Sequence, residues 1–359
     1  MKKFTAFVFL VLVVTFPVLA TDSSVASFQW FNSKSLYRQS PTDIYSGLST
    51  IEIILLQTGQ PRSVRVMPND GSKVYEDIEI FTTGHYADEK LYLRLKTGID
   101  VGLLRLSLFK KNVQLELAFS GALNAIFQGF GGADNLGFDG IFFFGPQIKL
   151  LDRISLKCGL QHYSGHYGDE TIENYQSTNS EIRRPIAFTR DNNLFFGIQV
   201  EPIKNLSLHF EATRPGLKTW MEPAVHIPSW SLKPSSGEPF HEVAASGERI
   251  NPTEYPDSYK AWTVQGGISY DLSLSKQFGL ALSGDVKLHQ DGMTKHQAGA
   301  YSDDNPWEME YTIGGGIVFI DPKSRHAVQI NLTYHNGRLP LLNYFYQRTS
   351  YISLAVHIG

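Results

Sequence analysis

His162 and Ser164 are the residues of this chain best placed to do chemistry together, two positions apart in the run Leu156-Lys157-Cys158-Gly159-Leu160-Gln161-His162-Tyr163-Ser164-Gly165-His166-Tyr167-Gly168-Asp169-Glu170. A serine nucleophile needs a base within hydrogen-bond reach and a third group that orients the base. On a β-strand, residues i and i+2 share one face roughly 6.6 Å apart, close enough for an imidazole nitrogen to approach a serine hydroxyl. The run alternates as a strand should. Ile154, Leu156, Cys158, Leu160, His162 and Ser164 share one face, and Arg153, Ser155, Lys157, Gly159, Gln161 and Tyr163 share the other. In this geometry Ser164 would attack an ester carbonyl, and His162 would take its proton and pass it to the leaving alcohol. Further on, Leu194, Phe196, Ile198 and Val200 define an apolar face on which Asn192 has matching parity. Asn192 is therefore the first choice as orienting partner, and the adjacent Asp191 the second.

Two other readings compete for the same cluster. His166, Asp169 and Glu170 could act as metal ligands, with calcium the cation suited to paired carboxylates. Alternatively, the histidines are there because an amphipathic ring suits a membrane interface, and the cluster only shapes the exit of a strand into a loop. Gly129, Gly131, Gly132 and Gly137 resemble a phosphate loop only superficially, since no Lys-Ser/Thr follows, and they read as a turn.

The elements that must position these groups are legible in the alternation. Residues 1–20 have two early lysines, an apolar run from Phe4 to Val18 and Ala20 at the cleavage point, the pattern of a secretory signal peptide. Without Lys2 and Lys3 the chain has 30 basic and 35 acidic residues, a net charge near −5, so charge provides no case for a nucleic-acid partner. Cys158 is the single cysteine, so an internal disulfide is excluded. Past the signal there is no apolar run of membrane-helix length, yet segments of about ten residues alternate repeatedly. Leu206, Leu208 and Phe210 oppose Ser207, His209 and Glu211, while Val328, Ile330, Leu332 and Tyr334 oppose Gln329, Asn331, Thr333 and His335.

Exported chains that span a membrane without apolar helices are closed β-barrels, because every backbone polar group must be paired in lipid. The expected fold is an all-β, antiparallel transmembrane barrel of about 12 strands in the bacterial outer membrane. The strands fall at 90–98, 101–109, 112–124, 139–151, 153–164, 192–202, 205–214, 259–272, 277–290, 307–320, 325–336 and 349–358. Links of one to four residues then alternate with links of 12 to 44, as short periplasmic turns alternate with long extracellular loops; only the tight link between the first two strands breaks the rule. A soluble sandwich or lipocalin-like barrel would also alternate, but its loop lengths need not.

The barrel is thus expected over 89–359, with residues 21–88 forming a periplasmic piece, a plug or extra strands. The proline-dense stretch from Pro215 to Ser258 reads as a surface loop where an extracellular ligand would sit. Charged residues of both signs face inward, among them Arg94, Lys96, Arg105, Glu116, Lys157, Asp285 and Glu310. In a narrow barrel such side chains pair and fill the lumen.

The chain resembles a bacterial outer-membrane family catalogued as domain of unknown function 1207. The signature His-x-Ser-Ser-His-x-Gly-Asp-Glu is matched by His162, Ser164, His166, Gly168, Asp169 and Glu170, with Gly165 in place of the second serine. Weaker similarity runs through Asp134-Asn135-Leu136-Gly137-Phe138-Asp139, Arg184-Pro185-Ile186-Ala187-Phe188-Thr189-Arg190-Asp191 and Gly337-Arg338-Leu339-Pro340 followed by Asn343-Tyr344-Phe345-Tyr346. The resemblance implies an outer-membrane barrel and no particular activity. The lipid-facing His-x-Ser is also similar to that of outer-membrane phospholipases A and some lipid A deacylases, which implies an acyl ester of the outer leaflet as substrate. The functional expectation is an outer-membrane barrel with a structural or surface-interaction role. Its alternatives are a rim-located Ser/His acyl hydrolase of phospholipid or lipid A, and a narrow selective channel. Outer-membrane lipid is the expected partner, and no oligomer interface is legible.

Overall fold

The computed structural model describes residues 26–66, 76–80, 89–129, 134–178, 188–215, 224–226, 262–290, 307–321, 327–344 and 347–358. The expected signal peptide lies outside these residues, as does most of the expected 215–258 loop.

The strands are β1 (Ala26–Asn32), β2 (Ser49–Thr58), β3 (Ser63–Val66), β4 (Glu76–Glu79), β5 (Leu91–Leu108), β6 (Val113–Gln128), β7 (Asp134–Leu150), β8 (Ile154–Tyr167), β9 (Phe188–Ile203), β10 (Leu206–Pro215), β11 (Ala224–His226), β12 (Thr263–Ser273), β13 (Phe278–Gln290), β14 (Trp307–Ile320), β15 (Ala327–Arg338) and β16 (Arg348–Ile358). One helix, α1 (Asp169–Thr178), follows β8. β2, β5 to β10 and β12 to β16 form a closed antiparallel ring of twelve strands, with β16 pairing β2 and β2 pairing β5. Closure leaves no unpaired sheet edge around the ring, which is what hydrocarbon demands of a spanning sheet.

The two faces of the wall are the reverse of a water-soluble protein. Leu332, Leu282 and Leu123 are 60–63 % exposed on the outside, while Asn331, His335 and Asn124 are 0–1 % exposed on the inside. Burying polar groups while exposing a continuous apolar band is stable only when the outer solvent is lipid. The fold is that of a transmembrane β-barrel of the outer-membrane type. Among the described residues no helix is long and apolar enough to cross a membrane, so the spans are the strands.

Three expectations are corrected. The strands expected at 90–98 and 101–109 are one strand, β5, interrupted by a bulge between Gly102 and Leu104. An extra residue in one strand shifts the alternation by one, so the outward set changes from Leu91, Leu93 and Leu95 to Leu104, Leu106 and Leu108. A turn would change the phase of the sequence in the same way. Second, the barrel begins at Ser49 rather than 89, because β2 supplies the twelfth strand. Third, the long loop expected between 124 and 139 shrinks to residues 129–133, because β6 and β7 extend through Gln128 and from Asp134.

The chain ahead of β2 enters the lumen. β1 pairs with the lower half of β5, and residues 33–48 then cross the inside of the barrel before β2 joins the upper half. Side chains of the wall take the place of a neighbouring strand for this segment. Glu116 accepts from Leu36 N (2.8 Å), Gln147 from Tyr37 N (2.8 Å) and Gln199 from Arg38 N (3.0 Å), while Ser155 donates to Leu36 O. Ser40 and Thr42 both donate to Asp285, and Arg94 donates to Ile44 O. At the outer end, Ile54, Leu56, Tyr92, Ile126, Leu136, Leu341 and Tyr344 form an apolar cap. The β15–β16 connection dips into it: Pro340 O accepts from Asn124, Leu342 N donates to Asp139, and Tyr344 donates to Leu136 O.

Candidate active site on the outer wall

β8 carries Leu156, Cys158, Leu160, His162 and Ser164 on its outer face, between β7 and β9. Register places His162 opposite Asn192 of β9 and Ser164 opposite Gly140 of β7. His162 Nδ1 lies 2.7 Å from Asn192 Oδ1. An amide oxygen only accepts, so the hydrogen bond requires the proton on Nδ1 and leaves a lone pair on Nε2. That is the tautomer a general base needs. Asn192 is only 8 % exposed although it sits on the lipid side, so its amide is shielded as well as bonded.

Among the described residues the two groups of the His-x-Ser pair are not hydrogen-bonded to each other. Such contacts often tighten only when substrate is bound. The surroundings are aromatic. Phe142 lies parallel to His162 at a centroid distance of 6.2 Å and to Phe119 at 6.4 Å, so three rings tile the wall next to the pair.

Of the sequence-predicted site residues, the structure joins His162 to Asn192 by a hydrogen bond and places Ser164 two residues further along the same face of β8. Asp191 is in register with Tyr163 rather than with His162, and its side chain lies outside the described residues. His166, Asp169 and Glu170 are engaged separately rather than gathered around one point. His166 is stacked on Phe138 at 4.8 Å, and Glu170 in the first turn of α1 accepts from Asn135 N at 3.2 Å. Asp169 is exposed in the same turn. Among the described residues no group of three or more His, Cys, Asp or Glu is arranged to hold a metal ion. No step of the chemistry below is routed through a metal ion.

Sequence reasoning missed Gly140. A β-carbon built there would lie 2.9 Å from Ser164 Oγ and 3.0 Å from the Phe142 ring. Its parity on β7 was readable, but its position opposite the serine depends on the β7–β8 register.

The lumen, by contrast, is occupied by paired polar groups. Arg94 pairs with Glu52 at 3.1 Å, Arg105 with Glu116 at 2.6 Å, Arg338 with Glu308 at 2.9 Å and Lys287 with Asp43 of the crossing segment at 3.7 Å. Lys157 points its ammonium at the rings of Phe143 and Phe195, 4.1 and 4.7 Å from their centroids.

Fold and site together define an integral barrel of the outer-membrane type carrying a polar cluster on its lipid-facing wall. No protein-family model matches the chain, and no curated protein matches it. Among solved structures it is similar to outer membrane phospholipase A from Escherichia coli, at 12 % identity over 90 % of this chain and 94 % of that one, with a TM-score of 0.45. The calcium-bound dimer of the Salmonella typhi outer membrane phospholipase is similar at 11 % identity over 90 % and 95 % of the two chains, with a TM-score of 0.44. The NanC porin is similar at 10 % identity over 87 % and 99 %, with a TM-score of 0.35. The assignment of the barrel rests on its own closed ring of hydrogen bonds.

Proposed function

We propose that this barrel, exported to the bacterial outer membrane by a cleaved signal peptide, is a Ser/His acyl hydrolase acting on outer-leaflet phospholipid or lipid A. The His162–Asn192 hydrogen bond carries the reading, because it sets the tautomer that leaves Nε2 able to accept the Ser164 proton. Ser164 Oγ bonds to the ester carbonyl carbon as its proton passes to His162 Nε2. The C–O bond to the alcohol then breaks, and His162 protonates the departing oxygen. Water, deprotonated in turn by His162, releases the fatty acid from Ser164.

The pair's position supports a substrate delivered by the bilayer itself, since an acyl ester in the leaflet meets the outer wall without crossing loops or lumen. The likeness to the domain of unknown function 1207 family, whose signature supplies both residues, is compatible with this and adds no activity of its own. The crossing segment 33–48 and the paired charges leave the lumen no comparable support for a channel.

Incubation of the full-length refolded protein with phospholipid vesicles, and separately with lipid A, tests the proposal. Fatty-acid release that Ser164→Ala abolishes, with the barrel's heat-modifiable gel mobility unchanged, is the expected result. Release that survives the substitution removes the nucleophile, and no release from either lipid by the unaltered protein removes the activity.

A further inference from the structure

Resting on the acyl-hydrolase reading, we infer that Gly140 is a positioning residue for the reaction: its missing side chain keeps open the space on the outer wall that Ser164 Oγ occupies. Ser164 and Gly140 are direct cross-strand partners in the β7–β8 register. In antiparallel pairs the side chains of opposed residues stand about 4.5–5.5 Å apart and normally fill the space between them. Here the β7 partner has no side chain of its own, and only the ring of Phe142, two residues on, leans over it. A β-carbon at Gly140 would come within 2.9 Å of Ser164 Oγ, closer than real β-carbons approach a heavy atom, so the hydroxyl would have to move from its present position.

Phe142 bounds the same space. Its ring lies over two glycines of the wall: a β-carbon at Gly140 would meet one ring edge (Cε2) at 3.0 Å, and a β-carbon at Gly121 would meet the other (Cδ1) at 2.7 Å. The ring also lies next to His162, its plane inclined by 23° to the imidazole. On the outer face Gly140 lies between Ser164, Phe142 and Leu123, its register partner on β6, which is 60 % exposed to lipid. In the inferred arrangement an ester carbonyl from the leaflet meets Ser164 Oγ in the rotamer that Gly140 permits, with its acyl chain lying along Phe142.

Two glycines contact the same aromatic ring and only one contacts the serine, which makes the inference separable from general crowding. Gly140→Ala crowds both Ser164 Oγ and Phe142, whereas Gly121→Ala crowds Phe142 and the main-chain oxygen of Ile141 but not Ser164. The probe is a hexadecyl fluorophosphonate added to the full-length protein in phosphatidylethanolamine vesicles. Ser164 Oγ forms the bond to phosphorus, the P–F bond breaks, fluoride leaves and the hydroxyl proton goes to His162. Labelling is located by peptide mass and counted on the folded band of a heat-modifiability gel.

The expected result is labelling of the unaltered protein at Ser164, at least tenfold slower labelling of Gly140→Ala, and labelling of Gly121→Ala within twofold of the unaltered rate. Phospholipid kinetics should match, with kcat reduced in Gly140→Ala and KM little changed. Labelling of Gly140→Ala at the unaltered rate overturns the inference and leaves the hydrolase reading standing. Equal slowing by Gly121→Ala also overturns it, because the effect would then belong to Phe142. Absence of both labelling and fatty-acid release in the unaltered protein overturns both.

Discussion

His162 and His335 sit on strands of the same barrel, each bonded through Nδ1 to a polar residue of the neighbouring strand, yet they are prepared for different ends. His335 is 0 % exposed inside the lumen, accepts from or donates to Thr312 at 2.8 Å, is bonded through Nε2 to Arg338 O at 2.9 Å, and stacks on Tyr351 at 4.7 Å. A carbonyl oxygen only accepts, so Nε2 carries the proton there, Nδ1 accepts from the threonine, and both ring nitrogens are satisfied. His162 carries its proton on Nδ1 and has no hydrogen-bond partner at Nε2 among the described residues. A buried imidazole with both nitrogens engaged holds structure together. One with a spare lone pair, next to a hydroxyl and open to lipid, can move a proton.

The sharpest way to break the comparison is to delete both rings. His162→Ala should lower acyl release by roughly a thousandfold or more and leave the unfolding midpoint in place. His335→Ala should leave the rate per folded barrel intact and cost about 1–3 kcal/mol of stability through the partners it strands. Fatty-acid assays alongside urea titrations followed by gel mobility would read both, and two variants with the same profile would erase the distinction.

A second contrast lies within the lumen. Arg94 and Glu52 are almost wholly buried and also bonded to Asn124 and Ser353 respectively, whereas the Arg38–Asp271 pair has side chains 42 % and 32 % exposed. Arg94→Ala leaves a buried carboxylate unpaired and should cost about 3–5 kcal/mol. Arg38→Ala should cost no more than about 1 kcal/mol, since water screens its pair. The same urea titrations measure both, and equal losses would mean that the lumen is wetter than its packing indicates.

The smallest effect is expected at Asn192, the proposed orienting residue. Asn192→Ala should reduce kcat by about tenfold to a hundredfold, the worth of one shielded hydrogen bond. Asn192→Asp preserves an acceptor for Nδ1–H and should recover most of the rate. Loss in both variants alike would argue that Asn192 packs rather than orients.

Much of the wall was legible because the phase of an alternation needs no tertiary context. Leu206 to Phe210 and Val328 to Tyr334 declare which side meets lipid by composition alone, and their strands lie where expected. β5 was misread because a bulge and a turn produce the same shift of phase. β2 remained one of several alternatives for residues 21–88 for a different reason. Ile51, Ile53 and Leu55 face lipid while Ile54 and Leu56 face the apolar outer cap, so both sides of the strand are hydrophobic and the alternation disappears. The crossing segment 33–48 has no periodic signal, because its main chain is satisfied by Glu116, Gln147 and Gln199, side chains more than 70 positions away.

The catalytic candidates divide in the same way. Parity along β8 and β9 determined by itself that His162, Ser164 and Asn192 share the outer face, since side chains on a strand alternate whatever surrounds them. Which of Asn192 and Asp191 meets the imidazole, that Gly140 rather than a side chain lies opposite Ser164, and that the expected metal ligands are not gathered were decided only by the tertiary structure. Those facts depend on the register between strands, which is set by the ring closing as a whole.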